Sequence, residues 1–175
     1  WISNARTGSI LKARDTDNDF KADEIIEVVK AGWIEAGRGH PTWGILVGAD
    51  RFYLAVSDPQ NMTDELDSPR KTIYSFALDG SDKKVFATGI RNTEKLRYRP
   101  LSDGTMTEEI WGADHGSDWF GQKYGDRQGD QPITDLLPPD ELNHYEEGKF
   151  YGHPYIVGDR IPRPEYVDRE DIHEL

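Results

Sequence analysis

The chain has 175 residues, no cysteine and a formal net charge of −12. That length suits one domain, residues 1–175, with a sizeable core. The acidic balance excludes nucleic acid or an anionic membrane as a partner, because both need basic patches, and the absence of cysteine excludes a disulfide framework and thiolate chemistry.

No apolar run approaches the ~20 residues of a membrane span. The chain opens on Trp1 without a Met and stops at Leu175 inside an acidic run, so a piece of a longer protein is expected. No signal-peptide pattern is present in it, which under that expectation says nothing of location. The triplet Asn61-Met-Thr63 is a glycosylation sequon that matters only if the chain is secreted.

Short runs of alternating apolar residues, rich in Ile, Val, Phe and Tyr, recur between turn residues at 9–14, 24–30, 44–48, 52–57, 72–78, 83–88 and 109–113. Their length and β-branched or aromatic content read as strands. Asp50-Arg51 and Asp79-Gly80-Ser81-Asp82 read as hairpin turns. Segment 24–30 has room for two helical turns, but Ile25, Ile26, Val28 and Val29 favour a strand. The fold class expected is all-β, as a sandwich, barrel or propeller, although no internal repeat is visible as self-similarity.

Asp15-Thr-Asp-Asn-Asp19, followed by Asp23-Glu24, begins like a calcium loop with oxygen ligands at alternate positions. It lacks the glycine of the sixth position, where Phe20 stands, and the acidic twelfth position is Ile26. It is read as a solvated acidic turn. Next, Gly37-Arg-Gly-His40 enters a strand, which puts His40 on a loop at a sheet end; histidine is the usual general base near neutral pH. Taken locally, a surface loop histidine is the simpler reading. The polar segment 60–71 reads as an exposed loop. In Gly89-Ile-Arg-Asn92, Arg91 and Asn92 stand side by side between two strands, and an arginine fork suits a planar polyanion. Arg97 and Arg99 fit plain strand alternation.

The densest stretch runs from Trp111 to Pro154. It holds Asp114-His-Gly-Ser-Asp-Trp-Phe-Gly121, then Asp126 and Asp130 in a polar loop, then Pro138-Pro-Asp-Glu-Leu-Asn143 and Tyr151-Gly-His-Pro154. Carboxylates beside glycines, which free backbone carbonyls to turn, are the ligand chemistry of a hard cation such as calcium. Taken with Gly89-Ile-Arg-Asn92, these spellings resemble the soluble quinoprotein sugar dehydrogenases, the glucose/sorbosone dehydrogenase family, and most closely its eukaryotic, pyranose-dehydrogenase-like branch. The resemblance covers residues 40–166, and departs at Lys95, where many members have glycine.

That resemblance implies a six-bladed β-propeller, of which this chain would form about four blades at ~40–45 residues each. It implies a PQQ-dependent, secreted oxidoreductase that oxidises a sugar hydroxyl and passes electrons to an acceptor such as a cytochrome. His40 takes the family's general-base position. Arg91 and Asn92 take the cofactor-contacting positions, with Arg91 also stabilising charge on the quinone, and His115 lines the pocket mouth. The carbonyls of Gly116 and Ser117 would hold the calcium that binds the cofactor. Glu141 and the carbonyl of Tyr151 would hold a second calcium, and Asp140 braces the first site. His153 is read as packing, His144 as lying away from the site, and 160–175 as an exposed connection. The family's further cofactor contacts, in later blades, have no counterpart here. Two other classes stay open: a non-catalytic propeller binding a protein or carbohydrate, and a calcium-stabilised structural domain.

Overall fold

A computed structural model of the chain describes residues 1–4, 6–33, 40, 44–65, 68–118, 138–166 and 168–170. Among these residues the protein is all-β, with thirteen strands in four sheets and one short 3-10 turn. Part of the Gly37-to-Gly44 loop, the 119–137 segment with Asp126 and Asp130, and the last five residues lie outside the described residues.

The first sheet is the meander β1 (Ile2–Asn4), β2 (Ser9–Arg14) and β3 (Glu24–Val29). Segment 24–30 is therefore a strand, as its β-branched residues dictate. The second sheet holds β4 (Ile45–Val47), β5 (Arg51–Val56), β6 (Thr72–Ala77) and β7 (Lys84–Thr88) as an antiparallel meander. A two-residue strand, β11 (Lys149–Phe150), adds to β7 in parallel. The third sheet is β8 (Thr93–Pro100), β9 (Met106–Asp114) and β10 (Glu141–Tyr145). β12 (Ile156–Val157) and β13 (Ile161–Pro162) form a small ribbon, followed by the turn Pro164–Tyr166. Both expected hairpins are present: β4 turns into β5 at Asp50, and β6 into β7 at Gly80, whose φ of +84° a side chain would resist.

Period-two alternation gives the second sheet two apolar faces. Phe52, Leu54, Val56, Tyr74 and Phe76 meet Ile10 and Val29 of the first sheet, with Trp1 tilted against Phe52 at 5.0 Å and Trp33 edge-on to Tyr74 at 5.3 Å. Ala55, Ile73 and Ala87, on the opposite face, meet Leu96, Ile110 and Tyr145 of the third sheet. The three sheets thus stack face on face, with the second in the middle. The outer face of the first sheet leaves Ile2 and Ile25 exposed; that of the third leaves Leu142 exposed beside a Trp111–His144 stack.

Two expectations are corrected. The loop after β5 is not simply exposed: Thr63, Arg70 and Lys71 are buried. Its polar groups bond inward, Lys71 Nζ donating to the Thr63 carbonyl at 2.8 Å and Arg70 Nε to the Ser57 carbonyl at 2.8 Å. Nor is the segment from Arg160 a plain exposed connection. Arg163 is fully buried, and Tyr166 packs edge-on against Tyr155 at 4.9 Å. Turn-rich composition signalled loops in both places but carried no information on burial.

Candidate functional site

The loops that follow β5, β7, β9 and β11 converge at one end of the stacked sheets, and they bring most of the expected residues together. Asp58 ends the β5 strand run and is completely buried. Its backbone N–H donates to the Arg91 carbonyl at 2.8 Å. Its carboxylate accepts from Gln60 N at 2.8 Å, from Thr63 N at 3.0 Å and from the Thr63 hydroxyl. A further donor is His153 Nε2, 2.8 Å from Oδ2. Burial alone would raise the Asp58 pKa, but the hydrogen bond and charge of His153 and the two amides outweigh it, and the net direction is down. For His153 burial wins: its pKa falls to about 4 against the opposing pull of Asp58. The pair is an ionised carboxylate and a neutral imidazole. His153 is packed, as read, but as one half of a buried polar pair.

His40 meets the same residue from the other side, its Nδ1 standing 2.9 Å from the Asp58 carbonyl. A carbonyl can only accept, so Nδ1 carries the proton and Nε2 keeps its lone pair. The tautomer of His40 follows from the identity of its partner.

Arg91 and Asn92 are both buried. Their backbone amides donate to the two oxygens of Asp114, at 2.8 and 2.6 Å, and the Thr93 hydroxyl adds a third donor at 3.1 Å. Three of the five Arg91 side-chain N–H donors are committed. Nε and one terminal nitrogen hold Asn61, at 2.8 and 2.6 Å, and the other terminal nitrogen holds the His115 carbonyl at 3.2 Å. Asn61 Oδ1 also receives the Asp118 amide, and its Nδ2 is buried, so the sequon side chain is built into the fold. Asn92 Oδ1 accepts from the Ser57 hydroxyl at 2.9 Å.

A cavity of about 20 Å³, room for one water or one ion, is lined by Arg91, Asp114, His115, Gly116, Ser117, Glu141, Tyr151 and His153 among others. The two expected calcium groups, Gly116 with Ser117 and Glu141 with Tyr151, therefore border one small space. Asp140 accepts the Gly116 amide at 2.9 Å. A Cβ on Gly116 would meet the carbonyl oxygens of Pro138 and Pro139 at 2.6 Å, so this close approach of two backbones needs a glycine. Burial pushes Asp114 up to about 6, against three donors that pull it down. Glu141 already accepts the Gly158 amide at 2.7 Å.

The cavity wall, with two carboxylates, a hydroxyl and neighbouring backbone, suits an oxygen-liganded dication such as calcium, and a positive ion there would relieve the buried Asp114. A planar quinone exceeds this space. His144 lies apart, stacked on Trp111 on the outer face of the third sheet. The carboxylates of Asp15, Asp17 and Asp19 lie within 4.8 Å of one another in the loop after β2.

The sequence does not mark Asp58 or Arg163 as site residues, and it marks Asn61 and Thr63 only as a sequon. The sole local signal was the small polar turn Val56-Ser-Asp58 at a strand end. Arg163 reaches Ser117 across 46 positions, at 2.5 Å, and no spacing rule sees such a contact.

No protein-family model matches the chain, and no curated protein or solved structure shows significant similarity to it.

Proposed function

We propose that the chain is part of a propeller-type sugar dehydrogenase that oxidises a sugar hydroxyl, at the anomeric carbon, with PQQ as hydride acceptor and calcium beside it. The observation that carries this reading is the fixed tautomer of His40. Its Nδ1–H is held by a backbone carbonyl, so that in the neutral ring Nε2 is the nitrogen that offers a lone pair to a hydroxyl proton. His40 takes the hydroxyl proton, and the Arg91–Asn92 loop, clamped by Asp114, supplies the positive edge of the site. When bound, PQQ supplies the two-electron chemistry, and the protein supplies binding, orientation and charge. The residues bordering the small cavity would hold the ion. The propeller is supported by the face-to-face stacking of three meanders and by apolar side chains on both outer faces, which neighbouring sheets in a ring would cover. Secretion, a sugar substrate and a cytochrome-like acceptor belong to the same proposal.

The test is His40→Ala. Turnover of a reducing sugar in the presence of PQQ and calcium should fall by on the order of 10²–10⁴, the worth of a general base. Turnover within a factor of two of the unmodified protein would remove His40 from the reaction.

One observation favours a second reading, a calcium-stabilised propeller without catalysis. Three Arg91 donors serve internal partners, and the side chain is 5% exposed, as a structural brace requires. That reading predicts calcium-dependent melting with no cofactor binding.

A further inference from the structure

The buried His153–Asp58 pair is tied to the other groups of the site by a single residue. Asp58 gives its amide to the Arg91 carbonyl, its carbonyl to His40 and its carboxylate to His153, and each contact comes from a different loop. The His153 amide is in turn anchored on the Gly89 carbonyl at 2.9 Å, so the ring is fixed from the β7–β8 loop that also carries Arg91. A carboxylate with no exposed surface accepts a hydrogen bond wherever it sits, and one left with a vacant lone pair drags its backbone toward a new donor. The backbone that would move is the one whose carbonyl holds His40.

We propose that His153 is a positioning residue: by donating Nε2–H to the Asp58 carboxylate it locks the loop after β5 so that the Asp58 carbonyl selects the Nδ1–H tautomer of His40. This rests on the reading of His40 as the base only for its consequence in turnover; the tautomer claim stands on the hydrogen bonds alone. Thr63 and Gln60 hold the same carboxylate from within the loop, at sequence distances of five and two. His153 is the donor that arrives from 95 positions away and fixes the loop against the rest of the molecule. The Asp58 amide on the Arg91 carbonyl and the Ser57 hydroxyl on Asn92 still anchor the chain before it, so without His153 it is the Asp58 carboxylate and the following peptide, whose carbonyl holds His40, that turn.

The test is the ring-nitrogen NMR spectrum of the full chain at neutral pH, in which the two tautomers of each histidine give distinct nitrogen shifts. In the unmodified protein His40 should be protonated at Nδ1 and His153 at Nε2; the opposite pattern at either ring overturns the proposal without any variant. In His153→Phe, which keeps the bulk and removes the donor, His40 should lose the Nδ1–H tautomer in favour of the Nε2–H form that a free imidazole prefers. His153→Gln, which can donate again, should restore it. An unchanged His40 tautomer in a folded His153→Phe protein overturns the proposal. Where the chain turns over sugar, His153→Phe should lower kcat by on the order of 10- to 100-fold with KM little changed, and His153→Gln should recover most of it. A tautomer shift in a chain that oxidises no sugar even when unmodified would sink the dehydrogenase reading and leave the positioning role standing.

Discussion

Two acidic clusters in this molecule are made of the same residue type and do opposite things. In the loop after β2, Asp15 accepts the amides of Asn18 and Phe20, at 2.7 and 2.9 Å, and Asp23 accepts Thr16 at 2.7 Å. Every one of these bonds spans seven positions or fewer, and water is available to replace each of them. Asp58 and Asp114 lie out of water and, beside the short bonds from Gln60 and Thr63 to Asp58, accept bonds spanning 21 to 95 positions. Local carboxylate turns shape a loop. Buried, long-range ones hold a tertiary arrangement together, because removing the acceptor strands several donors at once. The site follows the second pattern, which is why it is assembled from four loops and not from one motif.

The comparison breaks most sharply at Asp58. Asp58→Ala strands His153, Thr63 and Gln60 donors in a buried space, and a loss of about 3–5 kcal/mol is expected. A urea-unfolding midpoint shift measures it. Asp15→Ala, measured in the same way, should cost only about 1 kcal/mol, because the Asn18 and Phe20 amides it leaves are open to water. Equal effects at the two positions would erase the distinction.

A smaller effect is expected from pH. The folded pKa of His153, about 4, lies below its unfolded value near 6.5, so the unfolded chain takes up the proton first. Stability is therefore lost as pH falls from about 6.5 toward 4, by up to about 3 kcal/mol from this group. Asp58, whose pKa is also lowered, adds a loss that sets in as pH falls below its unfolded value near 3.9. His153→Gln should flatten the profile between pH 6.5 and 4 in denaturant titrations. A profile as steep as that of the unmodified protein would move the titration elsewhere.

The smallest effect sharpens the ion question. Calcium should raise the melting temperature of the unmodified protein, and Glu141→Gln should weaken that rise, because the cavity it borders is the proposed ion site. Asp17→Asn should leave the calcium response unchanged. A response lost with Asp17 and kept with Glu141→Gln would transfer the ion to the exposed loop.

The sequence carried the strands well, since period-two alternation between turn residues is a local property: the runs at 9–14 and 72–78 match β2 and β6 to within a residue. It misses β1 and the two-residue strands β11, β12 and β13 for their shortness, and β10 because Glu141-Leu-Asn-His-Tyr145 reads as site chemistry. Arg91, Gly116 and Glu141 stand out by their spelling, and the fold places all three around one cavity, with Asn92 beside Arg91 held by the same Asp114 carboxylate. Asp58 and Asn61 were not singled out as site residues, because their importance lies in partners far along the chain. The fate of Arg163 illustrates the limit. A charged residue between two prolines reads as surface, and only the tertiary structure supplies the Ser117 and Glu165 contacts that allow its burial.

The most direct measurement is a titration of the chain with PQQ and calcium, followed by the cofactor's absorbance, with a reducing sugar added at the end. The dehydrogenase account predicts calcium-dependent binding and bleaching of the bound quinone by the sugar, both weakened in Arg91→Ala. Binding of calcium alone, with a raised melting temperature and no spectral change from PQQ at any concentration, would contradict it and leave the calcium-stabilised, non-catalytic propeller.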